Sequence, residues 1–325
     1  MKRVGSIPLI LSIAIATLGL NGISLSASPD AFSHIGSGAR ACALGGAFVG
    51  AADDVTASYW NPAGLTQIDS PALSATDRVI SLDTNYITLS GALPVKGWGV
   101  LGLNVIFHGV GGIQGYDTSG NPIETGSSKE IAMLLSYAYG IANLSLSMGV
   151  RGIYQSIGFG EDSSRSWGAG LNLSLLCSVT DNLRVGVVVR DRMKVRDLDD
   201  ESAYSVETPL SITSGLLYSA RIARRHRFNV MIDLEQRNKL PLKAHLGAEI
   251  SMYDGALSLR GGLDDLYLES RGGDVNLSDL IRSNLKPTLG MGIAKSFKTG
   301  TLKLDYAASF EKLGTRSFVS MGWRF

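Results

Sequence analysis

Charge is scarce in this chain. Asp, Glu, Lys and Arg make up 18% of its 325 residues, below the usual quarter. The balance of 30 basic and 29 acidic residues, net +1, leaves no basic face and argues against a nucleic-acid partner. Cysteine is nearly absent. Cys42 and Cys177 stand in no metal-binding spacing, and both are expected to be unpaired and buried. The four histidines, His34, His108, His226 and His245, are scattered. No H-E-x-x-H, P-loop or G-x-S-x-G run is present, so no order or spacing picks out a nucleophile, base and orienter. The chain is read as no enzyme, with no cofactor and no metal site. After the N-terminus there is also no apolar run long enough for a membrane-spanning helix.

What the chain does hold is glycine, 39 residues of it, well above average usage. Low charge with abundant glycine and no long apolar run fits a membrane barrel better than a soluble enzyme. Residues 1–28 read as a secretory signal: Lys2 and Arg3 give a positive start, Ile7–Leu20 an apolar core, and Ser24, Ser26, Ala27 and Ser28 the small residues that follow. Residues 29–69 are then expected to form a plug and residues 70–325 a transmembrane β-barrel.

From residue 71 onward the pattern has a period of two. In Thr301–Glu311, Leu302, Leu304, Tyr306, Ala308 and Phe310 share one face, and Lys303, Asp305, Ala307, Ser309 and Glu311 the other. The same alternation marks Leu183, Val185, Val187 and Val189 against Arg184, Gly186, Val188 and Arg190. A membrane barrel turns the apolar rows to lipid and the polar rows to the lumen. Counting such segments gives about fourteen strands, an even number as in bacterial single-chain barrels. Tight connections at 95–97, 142–143, 180–182, 253–255 and 298–300 alternate with long polar loops at 109–128, 194–207 and 264–283. Short turns at one end and long loops at the other are the asymmetry of outer-membrane barrels, with the short turns periplasmic. The fold class is therefore all-β: a roughly fourteen-stranded antiparallel outer-membrane β-barrel with a small N-terminal plug in its lumen.

The lumen-facing rows carry Arg151, Arg184, Arg190, Asp233, Glu235, His245, Glu249, Lys303 and Asp305, expected to form a network of paired charges. Asp53 and Asp54 are expected to pair with Arg151, Arg184 or Arg190 and lock the plug. Asn61-Pro62 reads as turn initiation, with Gly64 free to take a left-handed conformation. Trp323 and Phe325, on the last strand, are expected to carry an assembly signal read by the barrel-assembly machinery. Residues 221–227 (RIARRHR) form a basic turn at the periplasmic end, either solvated or facing a partner.

Gly36–Leu65 (GSGARACALGGAFVGAADDVTASYWNPAGL) stands apart as a small-residue segment with one acidic pair. It resembles the N-terminal hatch signature of the outer-membrane fatty-acid-transporter family and its PorV-type relatives. There a G-A-R-x-x-x-x-G-G-A-F-x-x-x-A-D-D run leads into N-P-A-G. Gly38, Ala39, Arg40, Gly45, Gly46, Ala47, Phe48, Asp53, Asp54, Asn61, Pro62, Ala63 and Gly64 occupy those places. The resemblance implies a hatch in a passive channel for hydrophobic or amphipathic small molecules. Asp53, Asp54, Asn61, Pro62 and Gly64 would be gate elements, and Phe48, Tyr59 and Trp60 an apolar lining. Its PorV side implies instead a barrel that binds secreted or surface proteins without carrying a solute. Either way the expected setting is the lipid of a diderm outer membrane.

Overall fold

A computed structural model describes residues 35–79, 84–117, 119–159, 162–199, 206–238, 240–268, 285–312 and 314–325. The expected signal at 1–28, His34, and Glu269, Asp274 and Asp279 of the long loop lie outside these residues. Sixteen strand segments form one sheet. They are β1 (Ala72–Val79), β2 (Thr84–Val95), β3 (Gly99–Tyr116), β4 (Pro122–Ile141), β5 (Leu144–Phe159), β6 (Asp162–Ser178), β7 (Leu183–Arg190) and β8 (Met193–Asp197). The chain continues through β9 (Val206–Thr208), β10 (Ser211–Ala223), β11 (His226–Arg237), β12 (Leu242–Met252), β13 (Leu257–Leu268), β14 (Lys286–Phe297), β15 (Gly300–Glu311) and β16 (Gly314–Arg324). β1 pairs with β16, so the sheet closes. β7 and β8 pair with successive parts of β6 and make one stave, and β9 and β10 make the next. The result is a closed antiparallel barrel of 14 staves.

Alternation explains the wall. Leu73, Leu89, Leu103, Leu135, Leu173, Leu289, Leu304 and Met321 point outward and are exposed. An apolar belt on the outside of a closed barrel is a lipid-facing surface. Trp323, stacked on Phe297 at 6.0 Å between ring centroids and edge-on to Phe325, adds aromatics to that face at the short-turn end.

Three sequence expectations change here. The expected loop at 109–128 is mostly strand, because β3 and β4 stay paired as far as Tyr116 and Pro122 through two register shifts. Glycines at 109, 111, 112 and 115 hide the alternation, and cross-strand pairing supplies what the pattern does not show. Likewise Met193–Asp197 and Val206–Thr208 are strand rather than loop. At the 142–143 turn Asn143 is the residue type that favours positive φ, yet the left-handed residue is Ala142, with φ 54°.

Candidate functional site

Residues 36–69 lie against the inner wall. They form helix α1 (Ala39–Ala43), helix α2 (Ala57–Trp60) and a 3-10 segment, Pro62–Gln67. Helices this short are not stable alone; packing holds these, and Ala41, Leu44, Ala47, Phe48, Ala52 and Leu65 are buried together. The wall makes room with inward-facing glycines. A Cβ on Gly186 would stand 2.5 Å from the Val49 carbonyl oxygen, and one on Gly247 2.7 Å from that of Leu44. Gly215, Gly262 and Gly290 meet Gly50, Gly45 and Ala43 as closely. On β7, β10, β12 and β13 the backbone of residues 44–50 thus touches the barrel backbone directly, and on β14 the glycine seats the Ala43 side chain.

Polar groups fix the register of this contact. Arg40 donates from Nε to Glu249 Oε2 at 3.0 Å, from Nη2 to Glu249 Oε1 at 3.1 Å, and from Nη1 to Asp53 at 2.5 Å and Asp54 at 3.1 Å. Glu249 also accepts from Arg260 Nε at 2.7 Å and Asn229 Nδ2 at 3.0 Å. Arg260 continues to Asp305 at 2.6 Å. Asp53 reaches Arg184 at 3.3 Å. Burial alone would raise the Asp53 carboxyl, but Arg40 and Arg184 outweigh it and hold it below the usual carboxylate range. Asp233 holds backbone rather than charge: its Oδ2 accepts the amides of Phe48 at 2.8 Å and Val49 at 2.7 Å.

The N-P-A-G run does make the expected turn, with the Gly64 amide bonded to Asn61 O at 2.9 Å. Asn61 caps the 3-10 segment by accepting from the Ala63 amide, while its Nδ2 donates to Val49 O at 2.9 Å and Leu175 O at 3.1 Å. It therefore ties hatch to wall. Gly64 is not left-handed; it is small because a Cβ there would collide with the Ala52 carbonyl. Gly45 and Gly46 do have positive φ, 64° and 77°. Phe48 is fully buried, with the Arg40 guanidinium 5.2 Å from its ring centroid. Trp60 donates Nε1–H to Ser37 O at 2.7 Å.

The expected charge network divides. Arg40, Asp53, Asp54, Arg184, Glu249 and Asp305 come together, joined by Arg260, whose role the alternation alone did not reveal. Arg190 and Arg151 do not reach Asp53 or Asp54. Their register places them farther from the short-turn end, where Arg190 donates to Tyr59 O at 3.2 Å and Arg151 to Asp191 O at 3.5 Å. Glu235, Arg237, His245 and Asp264 form a separate group. Lys303 is exposed at the short-turn mouth.

The lumen is also less uniformly polar than expected. From β2 to β8 the inward side chains Tyr86, Ile106, Ala132, Leu134, Ile153, Met193 and Val195 form one buried apolar cluster with Tyr59 and Trp60 of the hatch. The opposite wall, β11 to β14, carries Lys243, Asp265, Lys286, His245 and Glu235. The lumen thus has an apolar side and a charged side. The apolar side was hidden in runs such as Ile131–Leu135, where both faces are apolar.

Beside the apolar cluster the wall is interrupted. Arg190 pairs with Ser211 and Met193 with Thr208, but Asp191 and Arg192 between them belong to no strand. The Arg192 amide is taken by the Asp191 side chain at 2.7 Å, and the Met193 amide by Thr208 Oγ1 at 3.0 Å. Opposite, Pro209 has no N–H, and Leu210 O accepts from Asn238. On the β6 side the Asp191 amide still bonds Leu171 O at 2.9 Å. β7 has 8 residues, which at ~3.3 Å each and a tilt of ~40° puts the break about 20 Å above the short-turn end, inside an apolar band ~25 Å tall. Leu171 and Leu173, 56% and 57% exposed, flank it outside.

Burial pushes the Cys42 thiol up to about 12, the opposite of an activated nucleophile, and both cysteines are free and buried. Among the described residues no three His, Cys, Asp or Glu side chains converge on a metal-sized site.

No family model matches the sequence, and no curated protein matches it. Solved structures do match in shape. The CymD monoaromatic hydrocarbon channel aligns with a TM-score of 0.59 at 13% identity, over 89% of this chain and 96% of its own. The P. putida toluene transporter TodX gives 0.57 at 14%, over 89% and 99%. A Pseudomonas aeruginosa FadL homologue gives 0.52 at 11%, over 87% and 96%. At these identities the likeness is one of fold: the chain is a barrel of the shape that these hydrocarbon channels and the FadL homologue share.

Proposed function

We propose that the protein is an outer-membrane channel for hydrophobic small molecules, held shut toward the periplasm by residues 36–69 and discharging sideways through the break at Asp191–Arg192. The observation that carries this reading is the juxtaposition of the apolar inner wall with the interrupted ladder. A solute leaving the long-loop end meets Tyr86, Ile106, Leu134 and Ile153, then Met193, whose unbranched side chain can move aside. Next to Met193, at Asp191 and Arg192, the staves lack the backbone bonds that close the wall elsewhere. An apolar solute that exits there enters the bilayer without crossing the charged contacts around Arg40. Partners on this reading are the membrane lipid, the solute and, during insertion, the barrel-assembly machinery. The named neighbours make aromatic hydrocarbons the first solutes to try.

Mass spectrometry of the protein extracted in mild detergent tests the reading. Enriched small apolar molecules, lost when Ile153→Arg fills the cluster with charge, support it. An empty lumen with co-purifying secreted or surface proteins supports the PorV-type alternative, which the glycine-seated hatch also suits because such a barrel needs no solute path.

A further inference from the structure

We propose that the tip of the β10–β11 hairpin is a docking surface for an acidic, extended segment of a soluble periplasmic protein. Arg221, Arg224, Arg225 and Arg227 lie within seven consecutive residues and are all exposed. Arg225 pairs with Asp254 at 2.6 Å. Among the described residues no carboxylate stands within ion-pair distance of the other three. Arg221 and Arg227 are direct cross-strand partners, an arrangement of like charges that destabilises a sheet. The nearest inward carboxylate along the neighbouring ladder, Glu249, is already taken by Arg40, Arg260 and Asn229. The hairpin thus holds an unneutralised cationic pair that the fold does not use.

The facing of the two strands separates a protein from a lipid as the ligand. Arg221 follows the inward phase of Leu217, and Arg227 that of Asn229, both of which are buried inside the barrel. The outward phase at the same level is Ile222 and Phe228, exposed and apolar. The bilayer side of the tip is therefore apolar, and the guanidiniums of the pair are directed at the periplasmic mouth, where a soluble anion has access. β10 also outruns its neighbour. Its last partner on β7 is Leu183, opposite Tyr218, and the Ser219 amide reaches Asn182 O. Residues 220–223 leave a short free edge beside the arginines, which an extended segment can continue as a strand. Acidic side chains on that segment would neutralise the pair.

The full-length protein in nanodiscs of zwitterionic lipid, titrated with a fluorescein-labelled oligoglutamate peptide, tests this. The peptide should bind at low salt, with affinity falling about ten-fold or more when Arg221 and Arg227 are both changed to Gln and falling steeply with salt in the native protein. Arg165→Gln and Lys194→Gln, at the long-loop end, should leave binding unchanged. Because the substitution removes a repulsion, the double variant should melt no lower than the native barrel, which separates lost binding from lost folding. Equal affinity of native and double variant overturns the proposal. So does phosphatidylglycerol that co-purifies with the native protein but not with the double variant, since the arginines would then be holding headgroups. Neither result bears on the solute path, which follows the apolar cluster on β2 to β8.

Discussion

Arg40 and Glu249 face each other across 209 positions of chain, joined by two N–H···O bonds of 3.0 and 3.1 Å. One belongs to helix α1 and the other to β12, so this bidentate contact sets where the hatch sits in the barrel. Both side chains are almost wholly buried. Removing one partner leaves buried charge unpaired, and such losses amount to about 3–5 kcal/mol. Arg40→Ala should therefore release the hatch: thermal unfolding in detergent is expected to show a loss of that size, and protease is expected to cut near residue 50 in a barrel that stays intact. A double-mutant cycle with Glu249→Gln should show strong coupling.

The inward glycines make a second expectation. Gly215→Val would drive side-chain atoms into the Gly50 backbone, so the barrel or the hatch must shift, at about 1–3 kcal/mol. Gly152, on β5, has nothing within 4 Å of its Cβ position. Gly152→Ala should change stability little, and equal losses at both positions would show that strand propensity rather than seating is being measured.

Asp53 ties the hatch to acid. Its carboxyl is held below the ordinary range by Arg40 and Arg184, against burial. A depressed folded value contributes stability that is fully present above the unfolded Asp value of about 3.9 and is lost as pH falls through the lower folded value. Fluorescence of the tryptophans, Trp60 among them, should report hatch loosening on acidification below about pH 4. Asp53→Asn should lower stability at pH 7 and flatten that acid transition.

Outward rows predict their own cost. Leu173 points outward beside the ladder break, within the apolar band. Leu173→Arg should cost about 2–4 kcal/mol if its position is near mid-membrane, less toward an interface. Refolding into bilayers at a series of denaturant concentrations measures it. A neutral result would place β6 the other way round.

The barrel was legible because period-two alternation survives in most staves, and because tight turns such as Tyr253-Asp254-Gly255 stand where the strands reverse. Gly45, Gly46, Asp53 and Asn61 stand out in the sequence, and the turn at Asn61 was legible, while its further roles as a cap and a wall tie were not. Three things were not legible. Arg260 looks like any inward polar residue, and only the register across β12 and β13 puts it against Glu249. The apolar half of the lumen was hidden for a physical reason: where Met133, Leu134 and Leu135 follow one another, alternation has no contrast. The break at Asp191–Arg192 looks in the sequence like the end of a strand, since two unpaired residues within one stave leave no mark in composition.

On the proposed function, apolar solutes travel along the inner wall from Tyr86 to Met193 and leave through that break. Toluene permeation into bacteria expressing the native barrel, the Ile153→Arg barrel or the Met193→Arg barrel, each verified as folded by its heat-modifiable migration, tests it most directly. Rapid permeation is expected with the native protein and a return to background with either variant. Permeation that is unchanged in both, with the protein folded and equally abundant, would contradict it.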